Sequence, residues 1–394
     1  MASYKKIKKI EDESMRLRVA DRLLALRKQL RAEIPERTAT QTLLLATWNI
    51  REFGANRTEE SCYYIAEIID HFDLVVIQEV NSKALQGLER VVSILGSNWS
   101  YMMSDGVAGT TGGSEAMAFL YNTNKVQFTG LVGEIVLPKT KLLIDGKEKL
   151  QFARTPYMAS FRAGWFDFRL CTVHILYGDD SKKNEEGIIE QRENEIKAIS
   201  DFLLERQKED DTTYILLGDF NITDIDGAYF NALTKVQTVS KKGKVSTKEK
   251  FYVPEAIRLH PTDLGRVNHY DQIAFSLSIE KSMVLYEEGE QKAGAFNFTK
   301  SVYSEDDWEA YLPLYQEAYD EAVAKENAKN AEKEEKYLAK LAEGKKPKKP
   351  TYSHTTEAEH FKGWRTYQMS DHLPLWVELK IDFSDQYLET HTSE

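Results

Sequence analysis

Short apolar runs that stop at polar residues recur along the chain and predict a sheet-based fold. Four of these runs are typical of strands: Thr42–Asn49, Asp73–Gln78, Phe168–Val173 and Tyr214–Leu217. Apolar residues at three- and four-residue spacing predict helices between the members of each pair, over Glu60–His71 and Gly187–Arg206. Strand, helix and strand with short connections are the signature of a βαβ unit. We therefore predict an α/β fold of two similar halves, a pseudo-symmetric sandwich with one shared cleft.

An amphipathic helix is predicted before the first strand. Over Glu11–Ile34, apolar side chains recur on one face from Met15 to Leu30, and Pro35 stops the run. Such a stripe must be buried against another apolar surface. Packing on the main body is the favoured interpretation, and a homo-oligomer contact through this helix is the alternative.

The segment from residue 304 to residue 350 has a different composition. It is rich in Ala, Glu and Lys, and it closes with KKPKKP at residues 345–350. High helix propensity with a thin apolar stripe predicts a solvated helical insertion that ends in a stiff basic loop. Contact of this loop with a phosphate backbone is one interpretation, and a solvated linker is the favoured one.

Length and composition are those of a globular chain. With 394 residues and 42% hydrophobic composition, the chain has enough apolar material for a large core, and its longest apolar runs are strand-sized. The N-terminal MASYKKIKKIEDES lacks the apolar segment of a secretory signal, so we expect an intracellular, cytoplasmic protein with no membrane partner. Cys62 and Cys171 have no CxxC spacing and are expected to be buried free thiols.

The charge balance limits how the chain can bind nucleic acid. A formal net charge of −11 argues against binding through bulk basicity. A nuclease is still compatible with it, because a metal and a few local basic side chains can hold the substrate.

The stretch YILLGDFNITD (214–224) carries the first candidate chemistry. Gly218 frees the backbone to turn, and Asp219 and Asn221 follow two residues apart. If the chain stays extended through Phe220, both polar side chains point to one side. A carboxylate and an amide in that position can receive a divalent cation, a phosphate oxygen or a water to be activated. The alternative is an Asx turn that closes the strand, and GDFN taken alone favours this alternative.

Other polar side chains fall at the ends of predicted strands, where open α/β sheets build ligand sites. These residues are Asn49, Glu79, Glu115, Arg154, His174, Asp271, Asp371 and His372. Taken singly, His174 is compatible with a core histidine, Glu79 with a helix cap and Arg154 with a structural ion pair. Their joint position at strand ends favours one active site, while a purely structural role stays open for Arg154 and Asn49.

The order of these motifs resembles that of a known superfamily. WNI, QEV, a Glu before an FLY strand, a strand-end His, GDFN, YDQI and SDHLP occur here as in the endonuclease/exonuclease/phosphatase superfamily, most visibly its deoxyribonuclease I-like branch. The resemblance runs from about Thr42 to Ile381 without the insertion. It implies a four-layer α/β sandwich, with two mixed β-sheets face to face and helices outside, and metal-dependent cleavage of phosphate esters.

The resemblance also implies a domain division and a metal. Residues 1–40 would form a helical extension, 41–383 the catalytic domain interrupted by 304–350, and 384–394 a tail. Glu79 would be the principal Mg²⁺ ligand, with Asn49 beside it on metal or phosphate, and Asp371 would complete the metal-side carboxylates. Mn²⁺ or Ca²⁺ would be alternatives to Mg²⁺.

Two histidine–carboxylate pairs are implied by the same resemblance. His174 would be an acid/base histidine held by Glu115, and His372 would be its counterpart held by Asp271. Each imidazole needs a carboxylate to fix its tautomer and support its charged form. The residues alone do not decide which histidine is the acid and which is the base.

The remaining implied roles concern the substrate. Asp219 and Asn221 would orient the water and the scissile phosphate, and Arg154 would contact the phosphate. Asn81 and Gly113 stand where the branch has an arginine and a tyrosine, and both changes remove groups expected to grip duplex DNA.

The leading hypothesis is a Mg²⁺-dependent intracellular endonuclease that hydrolyses DNA phosphodiester bonds. One alternative is a phosphatase or phosphodiesterase for a small phosphate ester, which suits the acidic surface and the missing groove contacts. Another is a non-catalytic interaction protein that uses the N-terminal helix and the insertion.

Overall fold

The computed structural model describes residues 2–108, 114–139, 143–145, 148–177, 186–210, 212–239, 245–277, 286–287 and 290–392. No helix in these ranges combines the length and apolarity needed to cross a bilayer. The helices are α1 (Glu13–Glu33), α2 (Glu59–Asp70), α3 (Gln86–Leu95), α4 (Glu186–Asp210), α5 (Ala228–Thr234), α6 (Glu255–Arg258), α7 (Trp308–Ala342), α8 (Glu357–Gln368) and α9 (Ser384–Thr392).

The strands follow in chain order: β1 (Thr42–Phe53), β2 (Leu74–Asn81), β3 (Trp99–Met103), β4 (Val107–Ala108), β5 (Ser114–Asn122), β6 (Val126–Glu134), β7 (Leu143–Asp145), β8 (Glu148–Leu150), β9 (Tyr157–Ala163), β10 (Phe166–His174), β11 (Thr213–Asp219), β12 (Lys235–Val239), β13 (Val245–Glu249), β14 (Phe251–Tyr252), β15 (Asp271–Ser276), β16 (Tyr286–Glu287), β17 (Glu290–Gln291), β18 (Ala293–Ala295) and β19 (Leu375–Lys380).

Two mixed sheets form the body of the protein. The first has the order β18-β19-β1-β2-β5-β3, with β4 paired to β5, and the second has the order β14-β15-β11-β10-β9-β6. Each sheet contains one parallel pair, β1 with β2 and β10 with β11, and the pairs beside it are antiparallel. A helix joins the members of each parallel pair, α2 in the first sheet and α4 in the second. The two predicted βαβ halves therefore form the centres of the two sheets.

The sheets lie face to face and bury an apolar core between them. Phe119 of β5 stacks on Tyr157 of β9 with ring centroids 5.1 Å apart and meets Phe161 edge-on at 5.7 Å. Alternate residues of β1, such as Leu43 and Leu45, belong to this core. Since successive side chains of a strand point to opposite faces, the other residues of β1 are available for a second core.

Helices cover the outer face of each sheet. Leu44, Ala46 and Trp48 of β1 pack with apolar side chains of α1, α2, α3 and α8 and the start of α7. On the second sheet, α4 and α5 contribute Ile199 and Leu233 to the core. The fold is thus a four-layer α/β sandwich of helices, sheet, sheet and helices, as predicted.

Helix α1 is part of this packing. Its stripe of Val19, Leu23, Leu26 and Leu30 is buried among residues of the first sheet and α2. Two oxygens of Glu60 in α2 accept hydrogen bonds from Arg18 at 3.2 and 2.9 Å. The stripe that suggested a homo-oligomer contact is therefore covered by the same chain.

The segment 304–350 forms the long helix α7, whose base is anchored rather than solvated. Tyr311 and Tyr315 are buried, and Tyr311 stacks on Tyr303 at 4.5 Å. The rest of α7 is largely exposed, as its thin apolar stripe predicted, and Lys345–Pro350 has no regular structure. Cys62 and Cys171 are free and buried, as predicted.

We predict that α1 contributes to global stability. Leu26 is fully buried and Leu24, on the same helix, is 66% exposed. Leu26→Ala should lower the free energy of unfolding by about 2–5 kcal/mol, because it leaves a cavity in the outer core. Leu24→Ala should change it by less than about 0.5 kcal/mol. Urea unfolding of both variants checks this, and equal stability would contradict a structural role for α1.

Candidate active site

The candidate site lies where the carboxyl ends of the two central parallel pairs meet. In the first sheet Asn49 of β1 is aligned with Gln78 of β2. In the second sheet His174 of β10 is aligned with Asp219 of β11. Because the sheets face each other, these strand ends bring polar side chains to one edge of the apolar core.

The turn after β11 differs from the extended conformation expected for residues 219–221. Gly218 has φ +128°, and a Cβ there would lie 2.2 Å from the Val173 carbonyl oxygen, so glycine is required. Asn221 has φ +53°, and its N–H donates to Asp219 Oδ1 at 2.9 Å. This is the Asx turn weighed as the alternative, and it wins because it satisfies a buried amide. The Asn221 amide donates to the Ile175 carbonyl at 2.7 Å.

A bulge in β2 aims Glu79 into the cleft. Ile77 pairs with Ala118 and Val80 with Ala116, so Gln78 and Glu79 together oppose a single residue of β5. Glu79 has φ +60°, which rotates its side chain away from the face that a regular strand would give it. Its Oε2 accepts the Glu52 N–H at 2.8 Å.

Asn49 connects the two sheets through its side chain. The amide nitrogen donates to Glu79 Oε1 and to Asp219 Oδ2, both at 2.9 Å. Asn49 is 1% exposed, and its Oδ1 has no hydrogen-bond partner in the described part of the chain. A buried carbonyl oxygen without a donor is costly and is therefore a candidate for a cation or an ordered water.

His372 and Asp271 form a buried pair. His372 Nδ1 lies 2.7 Å from Asp271 Oδ2, and the ring lies against Tyr270 with centroids 5.4 Å apart. Burial alone would lower the pKa of His372, but Asp271 and Asp219 outweigh it and raise this pKa to about 10. His372 is therefore an imidazolium at neutral pH.

His174 has the opposite protonation. Burial, together with the positive charge of Arg154, lowers the pKa of His174 to about 4 despite the nearby Asp219 and Glu115. Its Nδ1 lies 3.4 Å from Glu115 Oε2, an ion-pair distance longer than a hydrogen bond. The same oxygen accepts Arg154 Nε at 2.5 Å. Glu115, expected to hold His174, is thus bound first by Arg154.

Asp219 is the point on which both histidines converge. His174 Nε2 lies 3.6 Å and His372 Nε2 lies 3.8 Å from the same oxygen, Asp219 Oδ2. Burial raises the pKa of Asp219, Asp271 adds to this, and the two histidines oppose it. A group placed between the two imidazoles can exchange a proton with either one or with Asp219.

Asp371 is the one expected site residue that lies outside the network formed by the others. Its carboxylate is 43% exposed and lies 3.4 Å from Arg51 Nη1. Arg51 is in turn held over the Tyr367 ring at 4.1 Å and donates to the Tyr367 hydroxyl at 2.8 Å. The other expected residues form one connected network: Asn49, Glu79, Glu115, Arg154, His174, Asp219, Asn221, Asp271 and His372.

Two groups of side chains are candidates for a metal. Asp219, Asp271 and His372 offer ligand atoms within 4.8 Å of one another. Since Asp271 is already hydrogen-bonded to an imidazolium, this group suits proton transfer better than cation binding. Glu79 and the unpartnered Asn49 Oδ1 supply oxygen ligands only, which hard divalent cations prefer. The residues present therefore fit a hard divalent cation on the Glu79 side.

Several residues that support the site were not expected from the sequence. Ser370 accepts the His372 N–H at 2.9 Å and donates to the Asn49 carbonyl at 2.6 Å. Arg57, which is buried, donates to the carbonyls of Met369 and Arg51. An isolated Ser or Arg carries no sequence signal of this kind, although Ser370 does lie within the SDHLP motif.

A cleft of about 500 Å³ adjoins the Glu79 side of the site. Its polar lining includes Glu52, Asn81, Lys83 and Glu115. Asn81, one of the two departures from the deoxyribonuclease I-like pattern, therefore faces this space, whereas Gly113 lies outside the described residues.

Sequence comparisons show which known proteins this chain is similar to. The family model described as "Endonuclease/Exonuclease/phosphatase family" matches residues 46–238. Bovine (Bos taurus) deoxyribonuclease-1 is 24% identical over 254 residues, which is 62% of this chain and 80% of that protein.

Two solved structures are also similar. A mannosyl-6-phosphatase of Bacteroides thetaiotaomicron is 16% identical and aligns over 86% of this chain and 99% of its own, with a TM-score of 0.46. An endonuclease/exonuclease/phosphatase family protein from the same species is 16% identical over 86% of this chain and 98% of its own, with a TM-score of 0.47. The chain belongs to the endonuclease/exonuclease/phosphatase family and is a phosphoester hydrolase of that superfamily.

Proposed function

We propose that the protein is a Mg²⁺-dependent endonuclease that hydrolyses DNA phosphodiester bonds. The observation that carries the proposal is the convergence of His174 and His372 on one oxygen of Asp219, next to the oxygen ligands of Glu79 and Asn49. The similarity to bovine deoxyribonuclease-1 supports DNA as the substrate. The non-catalytic alternative has no support once the chain is assigned to a hydrolase family.

Each residue of the site has a separate role in the proposed hydrolysis of a phosphodiester. Asp219, whose pKa is raised by burial, orients the attacking water, and the neutral His174 accepts the proton of that water. The imidazolium of His372 holds a proton on Nε2 and delivers it toward the leaving oxygen. Arg154 contacts a phosphate oxygen with the guanidinium nitrogens that Glu115 leaves free. A divalent ion at Glu79 and Asn49 would neutralise the charge of the phosphate and lower the barrier to attack.

A second candidate function is hydrolysis of a smaller phosphate ester. Asn81 gives the cleft beside Glu79 a neutral side chain where the related branch carries an arginine. The net charge of −11 would also favour a small anion held locally over a long polyanion held by the whole surface. The same catalytic residues would serve both substrates.

Cleavage of supercoiled plasmid tests the proposed function. Wild-type protein should nick the plasmid with Mg²⁺ or Mn²⁺ and should not do so in EDTA. Asp219→Ala should lower the rate by about 10²–10⁴-fold, because the group shared by both histidines is lost. Asp226→Ala, which removes an exposed carboxylate from the same loop, should retain activity.

The outcomes separate the two candidates. Absence of nicking with every metal, together with Asp219-dependent hydrolysis of small phosphate esters, would replace the nuclease with the second candidate. Nicking that persists in Asp219→Ala would contradict the assigned site.

The pH dependence of hydrolysis should report the His372–Asp271 pair. If His372 acts as an imidazolium, kcat/KM falls as the pH rises through its pKa of about 10. Asp271→Asn removes the main group that raises this pKa, so the alkaline decline should move toward neutral pH. The measurement is kcat/KM for a DNA substrate, whose alkoxide leaving group needs a proton, across neutral and alkaline pH.

Stability gives an independent check of the same pair. The folded-state pKa of His372 exceeds the usual value of about 6.5, so the stabilisation is complete below that pH and is lost as the pH rises through about 10. Asp271→Asn should therefore lower the Tm more at neutral than at strongly alkaline pH. Two results together would contradict this role: an alkaline decline of kcat/KM that Asp271→Asn does not shift, and a Tm difference between the two proteins that is the same at every pH. They would indicate that His372 is neutral and is not the acid.

A further inference from the structure

The segment Trp308–Gln368 forms an arm, made of α7, the return segment 343–356 and α8. The base of the arm is fixed by aromatic packing, with Tyr311 and Tyr315 of α7 against Phe361 and Trp364 of α8. From Tyr315 to Ala342 the helix extends about 40 Å at 1.5 Å per residue. The arm carries Lys345–Pro350 at its tip.

The return segment is held against α7, so the tip is presented at a defined place. Asn330 Nδ2 donates to the Ser353 carbonyl at 2.8 Å, and the Ser353 N–H donates to Asn330 Oδ1 at 3.2 Å. Further along, the Thr355 N–H donates to Glu326 Oε2 at 2.9 Å. A flexible solvated linker would have no need of such paired backbone contacts.

The lysines of the tip form few ion pairs within the described part of the chain. Lys345 pairs with Glu343 at 2.7 Å, whereas Lys346, Lys348 and Lys349 are exposed and have no carboxylate within ion-pair distance in the described ranges. The side chains of Lys346, Lys348 and Lys349 are not needed to cap α7, because Gly344, with φ +75°, ends the helix and the Gly344 and Lys345 N–H groups donate to carbonyls of its last turn. Pro347 and Pro350 exclude a helix here and keep the ammonium groups spread along an extended chain.

We propose that this tip is an accessory contact for the phosphate backbone of a long nucleic acid substrate. The proposal rests on the proposed nuclease function and extends it. On a chain of net charge −11, four lysines in six residues form a local positive site where a polyanion can approach. The arm is also joined to the active site along the chain, since α8 ends at Gln368 and His372 follows four residues later.

The contact predicts a dependence on substrate length. The 40 Å of α7 between its aromatic base and the tip corresponds to about 12 base pairs of duplex at 3.4 Å each. On this proposal we expect duplexes much longer than this to contact the site and the tip together, and shorter ones to contact the site alone.

The test compares two variants of the full chain that remove the same charge. In one, Lys345, Lys346, Lys348 and Lys349 are all replaced by Gln; in the other, the exposed Lys5, Lys6, Lys8 and Lys9 are all replaced by Gln. Binding of fluorescent 10- and 40-base-pair duplexes is measured in EDTA over a range of salt, and hydrolysis of bis(4-nitrophenyl) phosphate is measured with Mg²⁺.

The tip variant should bind the 40-base-pair duplex at least about tenfold more weakly, with a salt slope reduced by about 2–3. Its affinity for the 10-base-pair duplex and its small-diester hydrolysis should be unchanged, and the N-terminal variant should behave as wild type. Equal losses in both variants would assign the effect to net charge and overturn the proposal.

Other results also decide the matter. Unchanged binding by the tip variant, when wild-type protein cleaves plasmid, overturns this contact and leaves the nuclease function intact. Failure of wild-type protein to bind or cleave DNA overturns both. Sedimentation with phosphatidylserine vesicles is measured for wild-type protein and the tip variant. If the tip variant binds DNA as wild type does and differs only in no longer sedimenting with the vesicles, the lysines contact a lipid surface and the proposal fails.

Discussion

The site depends on how buried polar side chains are satisfied where two apolar sheet faces meet. Asn49 donates to Glu79 in its own sheet and to Asp219 in the opposite sheet. Nearby, the buried Gln78 donates to Thr172 across the same gap at 3.1 Å. Leaving such a group unpaired costs about 1–3 kcal/mol, so these bonds favour one separation and one register of the sheets. The geometry of the site is therefore a property of the packing between sheets more than of any single loop.

The same packing supports strained backbone. Glu52, Glu79 and Asn221 all have positive φ, a conformation that costs residues other than glycine on the order of 1–3 kcal/mol. Hydrogen bonds from this network compensate, since Glu79 accepts the Glu52 N–H and Asp219 accepts the Asn221 N–H. The positive φ angles turn Glu79 and the Asp219–Asn221 turn toward the cleft. In a regular strand, successive side chains would instead have pointed to opposite faces of the sheet.

Much of this was predictable from the sequence, and the remainder has identifiable reasons. Apolar periodicity predicted the two βαβ halves because local patterns determine buried strands and helices. The bulge at Glu79 was not predicted, since no residue type signals positive φ at a glutamate. GDFN taken alone favoured the Asx turn at Asn221, and only the other polar motifs along the chain weighed against it. The anchoring of α7 was missed because the side chains that bury Tyr311, such as Phe361, lie outside the segment considered.

The difference between the pKa values of the two histidines arises from the charged side chains beside each of them. His174 and His372 are almost equally buried, at 6% and 8% exposure, so desolvation pushes both pKa values down. The Asp271 carboxylate stabilises the charged form of His372, whereas Arg154 neutralises the Glu115 carboxylate that faces His174. A phosphate bound to the free guanidinium nitrogens of Arg154 would offset the positive charge that lowers the pKa of His174 and so raise that pKa. Substrate binding would then prepare His174 to take up the proton of the attacking water, so that the residue that recognises the phosphate also sets the basicity of its neighbour.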